Sequence, residues 1–339
     1  MLKGQKRENM PTDSKVNGIH HRTGAPVVNA STIGEVIAVT SGDGVLRLFQ
    51  ADRDSLAFAI HEGVILSMAR ESRSWLTGGE DGRFLRVSME GEVEEIASFG
   101  SKWVDCVAAD GEHFACSSGK MVYVWSPDRS QPELLEHQST IGGLAFNTKR
   151  KQLAASHYGG VTIWTRRGNR WTKSVLAYKG YHSSVTFSPD GKFVVSTMQE
   201  NAVHGWRLSD SADFAMSPYP AKINSIAWAG NNPYLVTSGA NEVVCWPFKG
   251  KDGPMGKYPI CVAERKQIVS CVEGFPNVNA LLAGFHDGTV VLTEIKHESI
   301  PVVLRDAKDV EVTAIAVTET GSDLLIGDAE GEILWFKMQ

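Results

Sequence analysis

A polar turn running into an alternating apolar segment returns through this 339-residue chain at a nearly constant interval. It reads SGDGVLRLF at Ser41–Phe49, GGEDGRFLRV at Gly78–Val87 and GFHDGTVVLT at Gly284–Thr293. Marking the turn residue and the residue six places on gives eight copies: Asp43 to Phe49, Asp81 to Val87, Gly119 to Trp125, Tyr158 to Trp164, Glu200 to Trp206, Ala240 to Trp246, Asp287 to Thr293 and Glu330 to Phe336. Successive end markers lie 38, 38, 39, 42, 40, 47 and 43 residues apart. A unit of this size cannot bury its own apolar face, so neighbouring units must stack to make a continuous core.

Each copy has the same inner layout. In the fourth, TIGGLAF precedes the turn NTKRK, then come QLAAS, a tight turn, VTIW and the more polar WTKSVLAY. Short segments of period two, punctuated by Gly, Asp, Asn and Pro, are the signature of strands. No helical periodicity interrupts them. The chain is therefore expected to be all-β. Its 33 glycines fit the many tight turns, which need positive φ at little steric cost.

These copies resemble the WD-repeat β-propeller family. The resemblance rests on SGDGVLRLF, TGGEDGRFLRV, GFHDGTVVL and the hairpin VTFSPDGK at Val185–Lys192. It rests also on Trp125, Trp164, Trp206 and Trp246 at the family's tryptophan position, and it covers residues 15–339. It implies a single propeller of four-stranded antiparallel blades. Eight copies point to eight blades, with seven the alternative if the first copy is irregular. No tryptophan is followed by Asp, the Gly-His dipeptide is absent, and the turn aspartate survives in three copies. The family's buried His–Ser/Thr–Asp–Trp chain is accordingly expected in few blades, with apolar packing between blades taking its place. His137 sits at the spacing of the family's histidine.

The eighth copy ends after its third strand, so residues 15–21, KVNGIHH, are expected to complete that blade and close the ring. Residues 1–14 read as a disordered, solvated tail, polar and without the apolar centre of a signal peptide. A formal net charge of −5 makes nucleic acid an improbable main partner, and no apolar run reaches the roughly 20 residues of a membrane helix. Five cysteines with no CxxC pair read as buried reduced thiols in a cytoplasmic protein. Neither a cofactor nor an oligomer is called for; the ring is expected to be monomeric by itself.

Blade topology sorts the loops into two surfaces. The channel-mouth face gathers His20, His21, His61, His137 and His182, with His157 and His286 just before the turns. Glu80, Trp103, His157, Tyr158, Tyr181, Gln199, Lys222 and His286 are its candidate partner-binding residues, aromatics being frequent anchors of interfaces. No metal site is expected; if the histidine rim held one, His157 and His286 would be its candidates. The opposite face carries Lys149, Arg150, Lys151, Arg166, Arg167 and Arg170 on the fourth copy, with Trp171 and Lys173 beyond, a basic patch able to hold an acidic segment. The second copy sets Glu90, Glu92, Glu94 and Glu95 on that same face.

There is no GxSxG elbow, P-loop, HExxH or dinucleotide fingerprint, and no DxDxDG calcium loop. The expectation is thus a non-catalytic scaffold that presents its faces to partner proteins. The rival is a regulatory propeller binding a metal or small ligand through the histidine rim.

Overall fold

The repeated turn explains its own composition in the computed structural model, which describes residues 18–51, 53–168 and 170–338. Gly44 and Gly82 both hold φ at 76°. A β-carbon at Gly44 would stand 2.2 Å from the carbonyl oxygen of His61, and one at Gly82 would stand 2.1 Å from that of Gly100. The incoming segment hydrogen-bonds to this same backbone, His61 N to Gly44 O at 3.1 Å and Phe99 N to Gly82 O at 2.8 Å. The aspartate before each glycine accepts the amide two residues on, at 3.3 Å from Asp43 to Val45 and 3.1 Å from Asp81 to Arg83. Asp287 does the same for Thr289 at 2.9 Å. These carboxylates hold turns.

The strands form a single all-β propeller of four-stranded antiparallel blades. Consecutive strands pair, each sheet starting from an inner strand and ending on an outer one. Separate sheets cover residues 27–59, 65–98, 106–136, 226–262 and 269–305, and the last joins 312–337 to the strand Ile19–Arg22. One departure from expectation stands out. The eight copies hydrogen-bond into seven sheets, not eight separate ones, because the fourth and fifth share a six-stranded sheet over residues 141–216. Within it, Gln152–Arg167 and Arg170–Phe187 run unbroken through what the repeat marks as separate strands. Register shifts at Tyr158/Gly160 and His182/Ser184 bend these strands without ending them. The irregularity thus falls there, and the first copy forms an ordinary four-stranded sheet.

Among the described residues, eight apolar clusters fill the junctions between consecutive copies, including the last against the first. Trp75, Phe49, Phe84 and Phe193 are among the largest fully buried side chains. The strand Ile19–Arg22 pairs antiparallel with Glu332–Lys337, Ile19 opposite Trp335 and Arg22 opposite Glu332. The tail expected over residues 1–14, and the start of the strand expected over 15–21, lie outside the described residues.

The buried polar chain survives in altered forms. In the 65–98 sheet, His61 donates from Nδ1 to Asp81 and accepts from Thr77 at Nε2, both at 2.9 Å. Burial lowers the pKa of this imidazole, with the Asp81 carboxylate opposing the shift. In the 226–262 sheet Tyr219 occupies the histidine's place, accepting from Trp246 Nε1 and bonding Thr237, both at 2.8 Å. Between the last two sheets, Arg305 Nη2, at the end of the 269–305 sheet, donates to Asp328 of the last at 2.6 Å, with both side chains 2% exposed.

Candidate functional site

On the channel-mouth face the outer strand Glu133–Glu136 and the bent strand Gln152–Arg167 leave a groove of about 550 Å³. The turn Tyr158–Gly160 makes one wall. Gly160 holds φ at 137°, and a β-carbon there would meet the Leu176 carbonyl oxygen at 2.1 Å, so this wall needs glycine. The Tyr158 amide donates to Ser139 Oγ at 3.1 Å, tying the turn across to the segment that enters this sheet. This leaves the Tyr158 side chain 65% exposed, with Val175 also exposed at 55%. Lys120, Glu136 and Lys173 complete the rim, and buried Thr162 lies beneath it.

The electrostatics of the groove are those of an exposed cationic lip over a neutral floor. Lys120 Nζ lies 2.7 Å from Glu136, and this contact holds the Glu136 carboxyl below the usual carboxylate range. Lys173 Nζ stands 5.9 Å from the centre of the Trp164 ring, a cation–π distance. Beneath, Trp164 Nε1 donates to His137 Nε2 at 3.0 Å. Burial, reinforced by neighbouring His157, depresses the His137 imidazole to about 4, so it is neutral near pH 7. His157 is buried; its Nδ1 donates to the Tyr158 carbonyl at 2.9 Å and its Nε2 accepts from Thr162 at 2.8 Å.

His157, a rim candidate from sequence, therefore corrects to a floor residue with both ring nitrogens occupied and none left for a metal. His286 belongs to a different sheet, exposed, with Nε2 at 3.6 Å from Glu311. Among the described residues no group of three His, Cys, Asp or Glu side chains is placed to hold a metal ion. Of the remaining candidates, Tyr158 lines the groove and faces Tyr181 in the strand ladder. The half-buried Tyr181 phenol has its pKa raised by burial, and its carbonyl accepts the Gln199 amide at 3.1 Å. Glu80 turns inward to accept the Val64 amide at 3.2 Å. Trp103, 53% exposed, and Lys222 sit on connections between sheets, outside the groove lining.

The basic run on the opposite face divides. Lys149, Arg150, Lys151, Arg167 and Arg170 are exposed as expected. Arg166 is not; its guanidinium donates to Ser126 at 2.5 Å and to His113 Nε2 at 2.6 Å, and reaches Asp128 at 3.4 Å. It thereby bridges the 106–136 sheet to the next, beside a cavity of about 320 Å³ that also holds Glu112 and Asp128. Lys173 corrects too, because it lies in the groove of the other face. Glu94 and Glu95 pair with Arg86 and Arg83 across their own sheet. All five cysteines are free, and Cys261 is exposed where burial was expected. Sequence reasoning missed Lys120 in the groove; its signal was a lone cation at the turn position of the third copy.

No family model matches the chain. Over 110 residues it is 26% identical to the p21-activated protein kinase-interacting protein 1-like protein of Gallus gallus, covering 32% of this chain and 30% of that one. The match thus spans under a third of that relative's length. Among solved structures, the computationally designed Ika8 protein is similar at TM-score 0.74 and 16% identity, over 94% of this chain and 98% of that one. U3-55K follows at TM-score 0.61 and 16% identity, over 82% and 97%. The WD40 repeats of RRP9 match at 0.61 and 15% identity, over 90% and 100%. At these identities the likeness is one of fold, that of WD40-repeat propellers.

Proposed function

We propose that this protein is a non-catalytic WD-repeat interaction platform, a ring monomeric by itself in the cytoplasm, that docks a partner protein in the groove at Tyr158. One observation carries the reading: exposed Tyr158 and Val175 flank a cleft whose lip bears the ammonium groups of Lys120 and Lys173 against the single carboxylate of Glu136. An aromatic anchor on a rigid sheet, rimmed by charge, suits an acidic partner segment carrying an apolar side chain. The name of the Gallus gallus relative, as a kinase-interacting protein, supports a protein as the class of partner. A metal-binding rim is disfavoured by His157, whose two nitrogens are both engaged.

The platform's rigidity follows from its division into wedges. We infer that the six-stranded sheet acts as two blades, so that eight wedges close the ring with Ile19–Arg22 as the last strand. The eight junction clusters support this, one of them lying on each side of the shared strand Arg170–Phe187.

Affinity capture from native cells with quantitative mass spectrometry, using wild type and a Tyr158→Ala/Lys173→Glu variant, tests the docking site. At least one partner should be lost, since truncating an aromatic anchor costs about 2 kcal/mol or more. Retention of every partner by a folded variant rejects the groove, and the absence of any specific partner rejects the platform.

A further inference from the structure

The cavity of about 320 Å³ on the face opposite the groove has two unlike walls. The 106–136 sheet supplies one, through Glu112, His113 and Asp128. The fourth copy supplies the other, through Lys151, Arg166 and Gly168. Two hairpin turns of that copy meet at this second wall. The Arg166 amide donates to the Lys151 carbonyl at 3.0 Å, which ties the turn after Asn147 to the turn after Arg167. Lys149, Arg150 and Lys151 are carried on one tip, and Arg167 and Arg170 on its neighbour.

Charge on these tips is unbalanced. Arg167 and Arg170 lie directly opposite one another in the strand ladder, and like charges in that register cost stability. All five side chains on the tips are exposed, and among the described residues none has an ion-pair partner. Lys151 holds φ at 51°, a left-handed conformation in which glycine would be less strained. Arg166 adds a rigid donor. Its Nη1 donates to Ser126 and His113 and its Nε to the Gly168 carbonyl at 3.2 Å, so the guanidinium is oriented before any ligand arrives. Its Nη2 has only Asp128, at 3.4 Å, longer than a charge-assisted hydrogen bond, and the Asp128 side chain is half-exposed.

The surroundings limit what can bind. On one side Glu112 and Asp128 repel an anion that extends past Arg166. On the other, the Gly191 carbonyl accepts from Asn147 Nδ2 at 3.1 Å and brings in Asp190, already paired with Lys192 at 2.9 Å. The unpaired positive charge is thus confined to the fourth copy. A strand of nucleic acid or a membrane surface, both extended polyanions, would meet carboxylates to either side. Among the described residues no exposed large apolar side chain lies on either tip, so a peptide would find no anchor.

We propose that the two hairpin tips of the fourth copy, together with Arg166 Nη2, bind a compact polyphosphate, a small molecule bearing at least two phosphate groups. The guanidinium fork matches phosphate oxygens, and the lysine ammonium groups add point charges around it. The site lies on the face opposite the groove at Tyr158 and stands or falls independently of it.

Calorimetric titration of the full chain at about 0.15 M ionic strength tests the site. The probes are inorganic tripolyphosphate and inositol hexakisphosphate, with tricarballylate as a carboxylate control and an acetylated peptide carrying two adjacent phosphoserines as a competitor class. Saturable binding of either polyphosphate, tighter than the phosphopeptide and at least about tenfold tighter than tricarballylate, supports the site. So does a loss of at least about tenfold in Arg150→Ser/Arg167→Ser. Tripolyphosphate alone would assign the ligand to linear phosphates, and the hexakisphosphate alone to phosphorylated rings. Failure of both, comparable binding of tricarballylate, or unchanged binding by the variant overturns the proposal. A phosphopeptide tighter than both overturns it in favour of a protein partner. Should the double variant fold poorly, Lys151→Gly relieves the left-handed backbone and should weaken binding without lowering Tm. Tyr158→Ala/Lys173→Glu should leave polyphosphate binding unchanged, and a loss there would move the anion to the groove and overturn the site.

Discussion

The carboxyl of Glu273, on the inner strand Val269–Gly274, makes a quantitative statement about stability. Burial raises its pKa from 4.5 to about 7, so the folded chain holds that proton more tightly than the unfolded chain does. Its stabilising effect is therefore complete below pH 4.5, declines as pH rises from 4.5 to 7, and is absent above. Converted at 1.36 kcal/mol for each tenfold change, the difference amounts to about 3 kcal/mol. Glu273→Gln cannot ionise and should remove this slope. Any cost of burying the amide is the same at every pH, so the pH dependence isolates the carboxyl. Relative to wild type, the variant should gain about 3 kcal/mol between pH 4 and pH 8, or roughly 4 °C in Tm for a chain of this length. The assay is calorimetric melting of both proteins at half-unit pH steps, read as the difference between the two curves. Turn carboxylates such as Asp43, whose pKa is lowered despite its burial by hydrogen bonds from Arg47 and Ser41, affect both proteins alike and cancel. A difference that does not vary with pH refutes the reasoning, and one that grows toward low pH reverses it.

Two further outcomes test how the ring is held. In a double-mutant cycle with Arg305→Met and Asp328→Asn, each single change should cost about 3–5 kcal/mol by stranding a buried partner, and urea melts should show strong coupling; additive costs would mean that the pair acts through separate contacts. Deleting Ile19–Arg22 removes a four-residue ladder on Glu332–Lys337 and the 5.1 Å edge contact of His21 with Phe49. It should lower stability by about 2–4 kcal/mol and expose a sheet edge, whereas an unchanged Tm would exclude the strand from closing the ring.

How much of this could be read from the sequence depends on the range of each interaction. The turn at Asp43–Gly44 was legible because its chemistry closes within a few residues: a side-chain oxygen caps an amide two places on, and φ must be positive. His137 was legible as a structural residue because its position resembles that of the WD-repeat family's histidine, and Trp164 is its partner. His157 was not; its acceptor, Tyr158 O, and its donor, Thr162, are near in sequence, but only the bend of Gln152–Arg167 turns the ring inward to meet them. The basic run over residues 166–173 looked uniform, yet pleating sends Arg166 across to Ser126 and Lys173 toward the opposite face. Glu273 drew no attention in VSCVEG because alternation cannot tell an inner strand's solvent side from its axis side. By itself, then, the sequence determined the period, the strands and the turns, since these depend on backbone preferences and neighbours a few bonds away. Tertiary structure alone decided which charges are paired, which line a groove or cavity and where two copies merge into one sheet, because those depend on how the ring's curvature brings distant strands together.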